Sequence, residues 1–454
     1  MARVLFTSAR QDGFVLPMLR LVRAMTARGD AVWFLGGEAW RDRIEAAGAV
    51  FVRLPYDADV PAERLAEPER TSGVRELGRV LRALFLDTVK EDHRTVRALH
   101  ERLRFDLILT EPLFVGAIAM SLLPRHERPV VLVVGFFPLP FAGLDTAPYG
   151  SGLPPLPGLR GVLRNGALAG AADLAVLGGV RRAFHAEVRR LTGTRVRGPL
   201  FDLPLVADAY AQTSVERFEY PRRSLPAKVR FVGPLPPPPG FPLPVWWDYA
   251  DPRRVVHVTQ GTYANADPTE LIVPAIRALA DRDDLLVVAA TGGPDPATVE
   301  AAYGGPLPGN ARVERFMPYE HLLPSCAVMI TNGGFGSVHH ALRWGVPLVV
   351  SGTSEDRAEV NARVAWTGVG IDLGAQRPEP DRLRDAVERV LDDHGRYRRA
   401  AAHLARAIAG TDAERAVLDL ADELCDGPPP ARPGPARRGP AAGRAGATER
   451  ASTR

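Results

Sequence analysis

Apolar positions along this chain fall into two patterns that alternate. Short runs such as RVLFTS (3–8), AVWFLG (31–36) and AVFVRL (49–54) are apolar nearly end to end, as strands buried on both faces are. Between the first two, Val15, Met18, Leu19, Val22 and Met25 recur at steps of three and four, with Arg20, Arg23 and Arg28 off that stripe and Gly29 after it. That spacing predicts an amphipathic helix. A further helix is predicted over 38–47. Val74, Leu77, Leu81, Leu84, Thr88, Val96, Leu99 and Leu103 predict a long helical region over 72–104. FDLILT (105–110) and PVVLVVG (129–135) read as buried strands with a helix between them. Such alternation predicts a parallel sheet covered on both faces.

The rhythm stops at 136–160, a stretch rich in Pro and Gly yet apolar and aromatic. A connection of this length is usually functional or disordered, and its Phe and Tyr content favours function. GPLPPPPGFPLP (233–244) reads as a semi-rigid proline linker. Beyond it the alternation resumes, with strands at 254–261, 285–293, 311–316, 327–332, 346–352 and 369–374 and helices near 381–393 and 396–424. Asp267, Pro268 and Glu270 have the spacing of a capping box, and Pro274 is expected to kink the helix that follows. The predicted organisation is a first domain over 1–232, a Pro-rich linker over 233–252 and a second domain over 253–426, whose last helix can pack back on the first. A tail over 427–454 is expected to be disordered. The fold class is α/β: two Rossmann-like, doubly wound domains facing a central cleft, with the ligand crevice at the carboxyl ends of the strands.

Composition narrows the class. The chain has 454 residues, 46% hydrophobic and 24% charged, as a soluble protein with more than one core has. The net charge of +4 is misleading, because six arginines against one glutamate lie beyond residue 426. The remainder is near neutral and shows no basic stripe with interleaved aromatics, so nucleic acid is not the expected partner. Cys326 and Cys425 offer neither a disulfide framework nor metal-ligand spacing. MARVLFTSARQDG reads as strand and turn rather than a leader, and no apolar run reaches about 18 residues, so stable membrane insertion is not expected. A cytoplasmic enzyme is.

The candidate chemistry centres on TNGGFGSVHHALRWGVPLVV (331–350). A strand ends, Gly333, Gly334 and Gly336 follow, and a helix is expected to begin at Ser337 and stop at Gly345. Free N–H groups at a helix N-terminus attract anions, and glycine lets a ligand approach the backbone, so a diphosphate is the natural guest. The spacing is neither G-x-G-x-x-G nor a Walker loop. A tight turn that needs glycine for geometry alone explains the local pattern as well. His339 and His340 are adjacent on a helix and do not share a face, so no metal site is expected.

Residues 311–374, from ARVERFMPYEHLLPS to VGIDL, resemble the nucleotide-binding signature of family 1 glycosyltransferases of the GT-B fold, in the bacterial natural-product and macrolide-type branch. VTQGTYAN (258–265) resembles the first loop of that branch's second domain, and residues 2–37 its opening βα unit. The resemblance implies a role for each matching position. Phe316 would pack on the nucleobase and the Met317 backbone would pair with its edge. Asn332 stands where a phosphate-binding His is common, and Gly334, Phe335, Gly336 and Ser337 would line the diphosphate. Gly261 and Thr262 would face the phosphates from the neighbouring loop. His340 falls at a ribose-binding position, and Glu355 or Asp356 at the one that contacts donor-sugar hydroxyls. The implied reaction is inverting transfer from a UDP- or dTDP-sugar to a lipophilic or aromatic aglycone, without metal or other cofactor. Phe14, Phe136, Phe137, Phe141 and Tyr149 would hold the acceptor.

One position departs from the family. Its base is usually a His in a G-H-x-x-P pattern, and here the segment reads Gly13, Phe14, Val15, Leu16, Pro17. Glu111 stands where the family places the Asp partner of that His. Three readings stay open. Glu111 or Asp12 is the base; or the acceptor is acidic enough that positioning suffices; or the chain is an impaired homologue acting as an auxiliary or binding protein. A nucleotide-sugar epimerase uses the same fold, and a homodimer or an auxiliary partner is compatible with the sequence.

Overall fold

The apolar runs form two parallel sheets. The structure, a computed structural model, describes residues 1–8, 12–55, 74–223, 225–237, 241–262, 265–392 and 394–426, without the side chains of residues 12, 74–77 and 176. The expected tail therefore lies outside the described residues.

The first sheet holds β1 (Arg3–Thr7), β2 (Ala31–Gly36), β3 (Val50–Arg53), β4 (Leu107–Thr110), β5 (Val130–Gly135), β6 (Ala209–Gln212) and β7 (Val229–Phe231). Their order is β3-β2-β1-β4-β5-β6-β7. The second holds β8 (Arg254–Thr259), β9 (Leu285–Ala290), β10 (Ala311–Glu314), β11 (Cys326–Thr331), β12 (Leu348–Val350) and β13 (Gly370–Asp372), in the order β10-β9-β8-β11-β12-β13. Each order reverses direction once, between β1 and β4 and between β8 and β11. Loops leaving the carboxyl ends of strands at such a point diverge and open a crevice. The central strands β4 and β5 are buried along their whole length, which is why they read as unbroken apolar runs.

The helices of the first half are α1 (Asp12–Ala27), α2 (Arg41–Ala46), α3 (Val74–Phe85), α4 (Val89–Leu103), α5 (Val115–Ile118), α6 (Gly158–Ala172) and α7 (Gly178–Thr192). The long region expected at 72–104 is thus two helices, separated where Leu86 and Asp87 both donate to the Arg82 carbonyl. The second half carries α8 (Ile272–Ala278), α9 (Ala297–Tyr303), α10 (Tyr319–Leu322), α11 (Phe335–Arg343), α12 (Arg357–Trp366), α13 (Pro380–Asp392), α14 (Arg396–Ala409) and α15 (Ala413–Asp426). The helix expected at 396–424 is likewise split, at Gly410.

The capping box is only half formed. The Asp267 carboxylate accepts from the Thr269 N–H at 2.9 Å, while the Glu270 carboxylate accepts from Gln376 at 3.1 Å instead of reaching back. Pro274 falls in the first turn of α8, where no intrahelical N–H is needed, and so has no ladder bond to break.

Val417, Leu420 and Ala421 of α15 pack with Val4, Phe6, Met18 and Leu21, so the last helix lies on the first sheet. In the other direction, Val215 and Phe218, which follow β6, pack with Phe335 and Val338 of the second core. Among the described residues no helix is long and apolar enough to cross a membrane.

Candidate active site

The two reversal points face one another, and the loops around them enclose a cavity of about 2120 Å³. On the second-sheet side α11 begins at its cap Gly334, earlier than the Ser337 expected from sequence. The first intrahelical bond is Val338 N–H to the Gly334 carbonyl, at 3.0 Å. The N–H groups of Phe335, Gly336 and Ser337 precede it and have no intrahelical partner. The glycines serve different ends. Gly333 has φ +88, and a Cβ there would stand 1.8 Å from Asn361 Oδ1, so it is required by the fold. A Cβ on Gly336 would meet nothing closer than His340 Nε2 at 4.0 Å; that space belongs to the cavity.

Gly261 and Thr262 line the cavity from the end of β8, beside Asn332 and Gly334 from the end of β11. Asn332 is buried; its Nδ2 donates to the Gln260 carbonyl at 2.5 Å and its Oδ1 accepts from the Gly334 N–H at 3.4 Å. The side chain therefore ties the two loops together. His340 also lines the cavity, and burial, with neighbouring His339 second, lowers its pKa to about 3, which keeps it neutral. Phe316 and Met317 form the far wall.

Glu355, Asp356 and Arg357 close this side. Glu355 adopts the left-handed region at φ 58, an arrangement that costs about 1–3 kcal/mol for a residue other than glycine. It turns the chain so that both carboxylates border the cavity. Burial in that wall, and then the charge of Glu355, raise the Asp356 carboxyl to about 7.

The facing wall is aromatic. Phe14, Phe136, Phe137 and Tyr149 all line the cavity. Phe14 meets Phe137 edge-on at 6.2 Å, Phe137 lies 6.0 Å from Tyr149, and Tyr149 lies 5.1 Å from Phe201. Phe141 does not join them. It packs on Tyr210 at 4.9 Å inside the first core, where Arg222 also binds its carbonyl.

Glu111 is fully buried, its Oε2 accepts from the Leu113 N–H at 2.5 Å, and it is not among the residues lining the cavity. Leu113 lines the wall there instead. The side chain of Asp12 lies outside those described.

Phe241 and Arg357 are among the cavity residues that escaped the sequence reading. Phe241, an aromatic within the proline linker, stacks on Phe316 at 4.7 Å and 14°. The buried Arg357 follows the acidic pair directly and reaches Ser354 Oγ at 3.2 Å. A lone aromatic among prolines was the available signal for the first.

Two doubly wound sheets around a cleft, with a helix N-terminus on one side and an aromatic wall on the other, have the architecture of the GT-B class. Residues 286–422 match the family described as Erythromycin biosynthesis protein CIII-like, C-terminal domain. The chain is 40% identical over 433 residues to 4'-demethylrebeccamycin synthase of Lentzea aerocolonigenes, spanning 93% of this chain and 99% of that one. It is 32% identical over 415 residues to UDP-glycosyltransferase 2 of Phaeomoniella chlamydospora, spanning 87% and 90%. Its fold superposes on the kitacinnamycin glycotransferase with a TM-score of 0.71 at 20% identity, over 93% and 99% of the two chains. The chain belongs to the natural-product glycosyltransferase family.

Proposed function

We propose that this enzyme moves a sugar from a UDP- or dTDP-sugar to a lipophilic, aromatic aglycone, with inversion at the anomeric carbon and without a metal. The observation that carries the reading is the cavity itself, which joins unpaired helix N–H groups to an aromatic wall across one space. A relative named for UDP supports the donor class. The N–H groups at the head of α11 would hold the diphosphate, and their fixed dipoles stabilise the charge it gains as the anomeric C–O bond breaks. Glu355 and Asp356 would take the sugar hydroxyls, Phe316 the base and His340 the ribose. The acceptor oxygen forms the new bond, the nucleoside diphosphate leaves with the electron pair, and the acceptor proton must go elsewhere.

Phe14 cannot take that proton. The burial of Glu111 and its bond to Leu113 favour a structural carboxylate over a base. Of the routes open from sequence, this disfavours Glu111 and leaves Asp12 as the base or positioning of an acceptor whose hydroxyl ionises readily, such as a phenol; we take the second. The test is turnover with UDP- and dTDP-sugars over phenolic and aliphatic acceptors, in EDTA, with the product's anomeric configuration read by NMR. Product of inverted configuration, formed from phenols and not from aliphatic alcohols, is expected. Glu111→Gln should then stay within a few-fold of wild type. A drop of ~10²–10⁴-fold would make Glu111 the base after all. Nucleotide binding without turnover across the panel, in wild type and Phe14→His alike, would favour an auxiliary role.

A further inference from the structure

The aromatic wall and the sugar-binding turn belong to different halves of the molecule, yet one side chain joins them. Glu359 lies in the first turn of α12, just beyond Glu355 and Asp356. Its Oε1 accepts from the N–H groups of both Gly150 and Gly152, each at 2.9 Å. These glycines belong to the long loop that follows β5, and both have positive φ, at 90 and 61. That backbone lets two nearby N–H groups converge on one oxygen. A Cβ on Gly152 would stand 3.2 Å from the Ala358 carbonyl, so the loop backbone lies directly against the helix. Tyr149, on the aromatic wall, immediately precedes this pair.

The other oxygen of Glu359 is equally committed. Its Oε2 accepts from Arg363 Nη1 at 2.9 Å, and Arg363 Nε donates to Glu219 Oε2 at 2.7 Å. Glu219 Oε1 in turn accepts from the Leu139 N–H, at the other end of the same loop, at 3.1 Å. All three charged side chains are almost fully buried. The Arg363 guanidinium also lies 4.2 Å from the Tyr220 ring centroid. Two carboxylates, bridged by one guanidinium, thus hold three backbone N–H groups of the acceptor-side loop, and one of them, Glu359, is on the donor-side helix. The surroundings of Tyr149 agree with this closeness: burial raises its hydroxyl pKa well above the ordinary value, with the charges of Asp356 and Glu359 adding to it.

We infer that Glu359 is a positioning residue, which completes the acceptor pocket by fixing the 136–157 loop to the helix that carries the donor-sugar carboxylates. The inference rests on the proposed assignment of donor and acceptor sides. The acceptor pocket then exists in full only when the two halves are together, and its affinity is set from the donor half. Removal of Glu359 leaves two loop N–H groups without their acceptor and takes from Arg363 one of its two carboxylates, so the loop loses its place while the diphosphate site, on α11, is untouched.

The experiment compares Glu359→Ala and Glu359→Gln with wild type in the full-length chain. Calorimetry reads UDP affinity, steady-state kinetics read acceptor KM, and hydrogen exchange reads the amides of 148–153 without any substrate. In Glu359→Ala, UDP affinity should stay within about twofold, acceptor KM should rise about tenfold or more, and exchange at 148–153 should quicken. Glu359→Gln keeps an oxygen for the two N–H groups, and should recover most of the acceptor KM and the exchange protection. Unchanged exchange in Glu359→Ala, or a loss of UDP affinity parallel to the rise in KM, would overturn the inference. Should wild type turn over no acceptor, the functional assignment fails while exchange still decides whether Glu359 holds the loop.

Discussion

Single residues set the character of each side of the cavity. Gly336 is the sharpest case on the donor side, because the structure leaves room for a side chain there and the reaction does not. Gly336→Val should fold with stability within about 0.5 kcal/mol of wild type. It should lose UDP binding in a calorimetric titration, since its methyls would occupy the diphosphate space. Retained affinity would place the diphosphate elsewhere. Asp356 makes a prediction in pH. Its carboxyl is raised to about 7, so below that pH it is protonated and loses acceptor capacity toward sugar hydroxyls. Affinity for the sugar nucleotide should therefore rise about tenfold from pH 6 to 8 and level off above. UDP alone should show no such step, and Asp356→Asn should abolish it. Stability follows the same titration in the opposite sense. The folded protein carries no cost for this group below the ordinary value of 3.8, and the cost of ionising it accrues as pH rises from there to about 7.

At the scale of elements, what the sequence showed and what it hid divide along a physical line. Strands such as VVLVVG at 130–135 were legible because burial on both faces demands an unbroken apolar run, and the glycine stretch after β11 was legible as a strand-to-helix turn. Helices α6 and α7 were not. Gly161 and Asn165 are the buried residues of α6, whose outer positions include exposed Leu159 and Leu163, so the apolar stripe on which periodicity depends is missing. A π-helical turn at Asp173–Leu177 joins α6 to α7, whose short stripe of Val180, Phe184 and Val188 the sequence reading passed over. Glu359 and Arg363 were hidden for another reason: charges four apart on a helix read as a solvated pair, and only the tertiary fold buries them. Their burial is what makes α12 sensitive. Arg363→Met should destabilise the fold by about 3–5 kcal/mol in chemical denaturation, because it removes the guanidinium that both buried carboxylates, Glu219 and Glu359, hold. A loss under about 1 kcal/mol would mean that the pair relaxes to water.

For the whole molecule, the informative element is α15. Val417 is completely buried among residues of the first sheet and α1 although it follows the last strand of the second. Arg28 Nη1 holds Asp422 at 2.9 Å along the same contact. Val417→Asp would place a charge in that core and should lower stability by several kcal/mol, on the order of 3–5. Near-UV circular dichroism, read at Trp33 and Trp40 of the first half, would check whether that half loses its packing first.

The polypeptide passes between the halves near Gly233 and again between α14 and α15, and these passages touch. Gly233 has φ +85, and a Cβ on it would come within 2.0 Å of Thr411 Oγ1. Two segments of chain are pressed together at one seam, so the halves are joined twice at the same spot. A single methyl group on Gly233 would act as a wedge between those two segments. Gly233 is thus a place where the join between the halves leaves no room for a side chain.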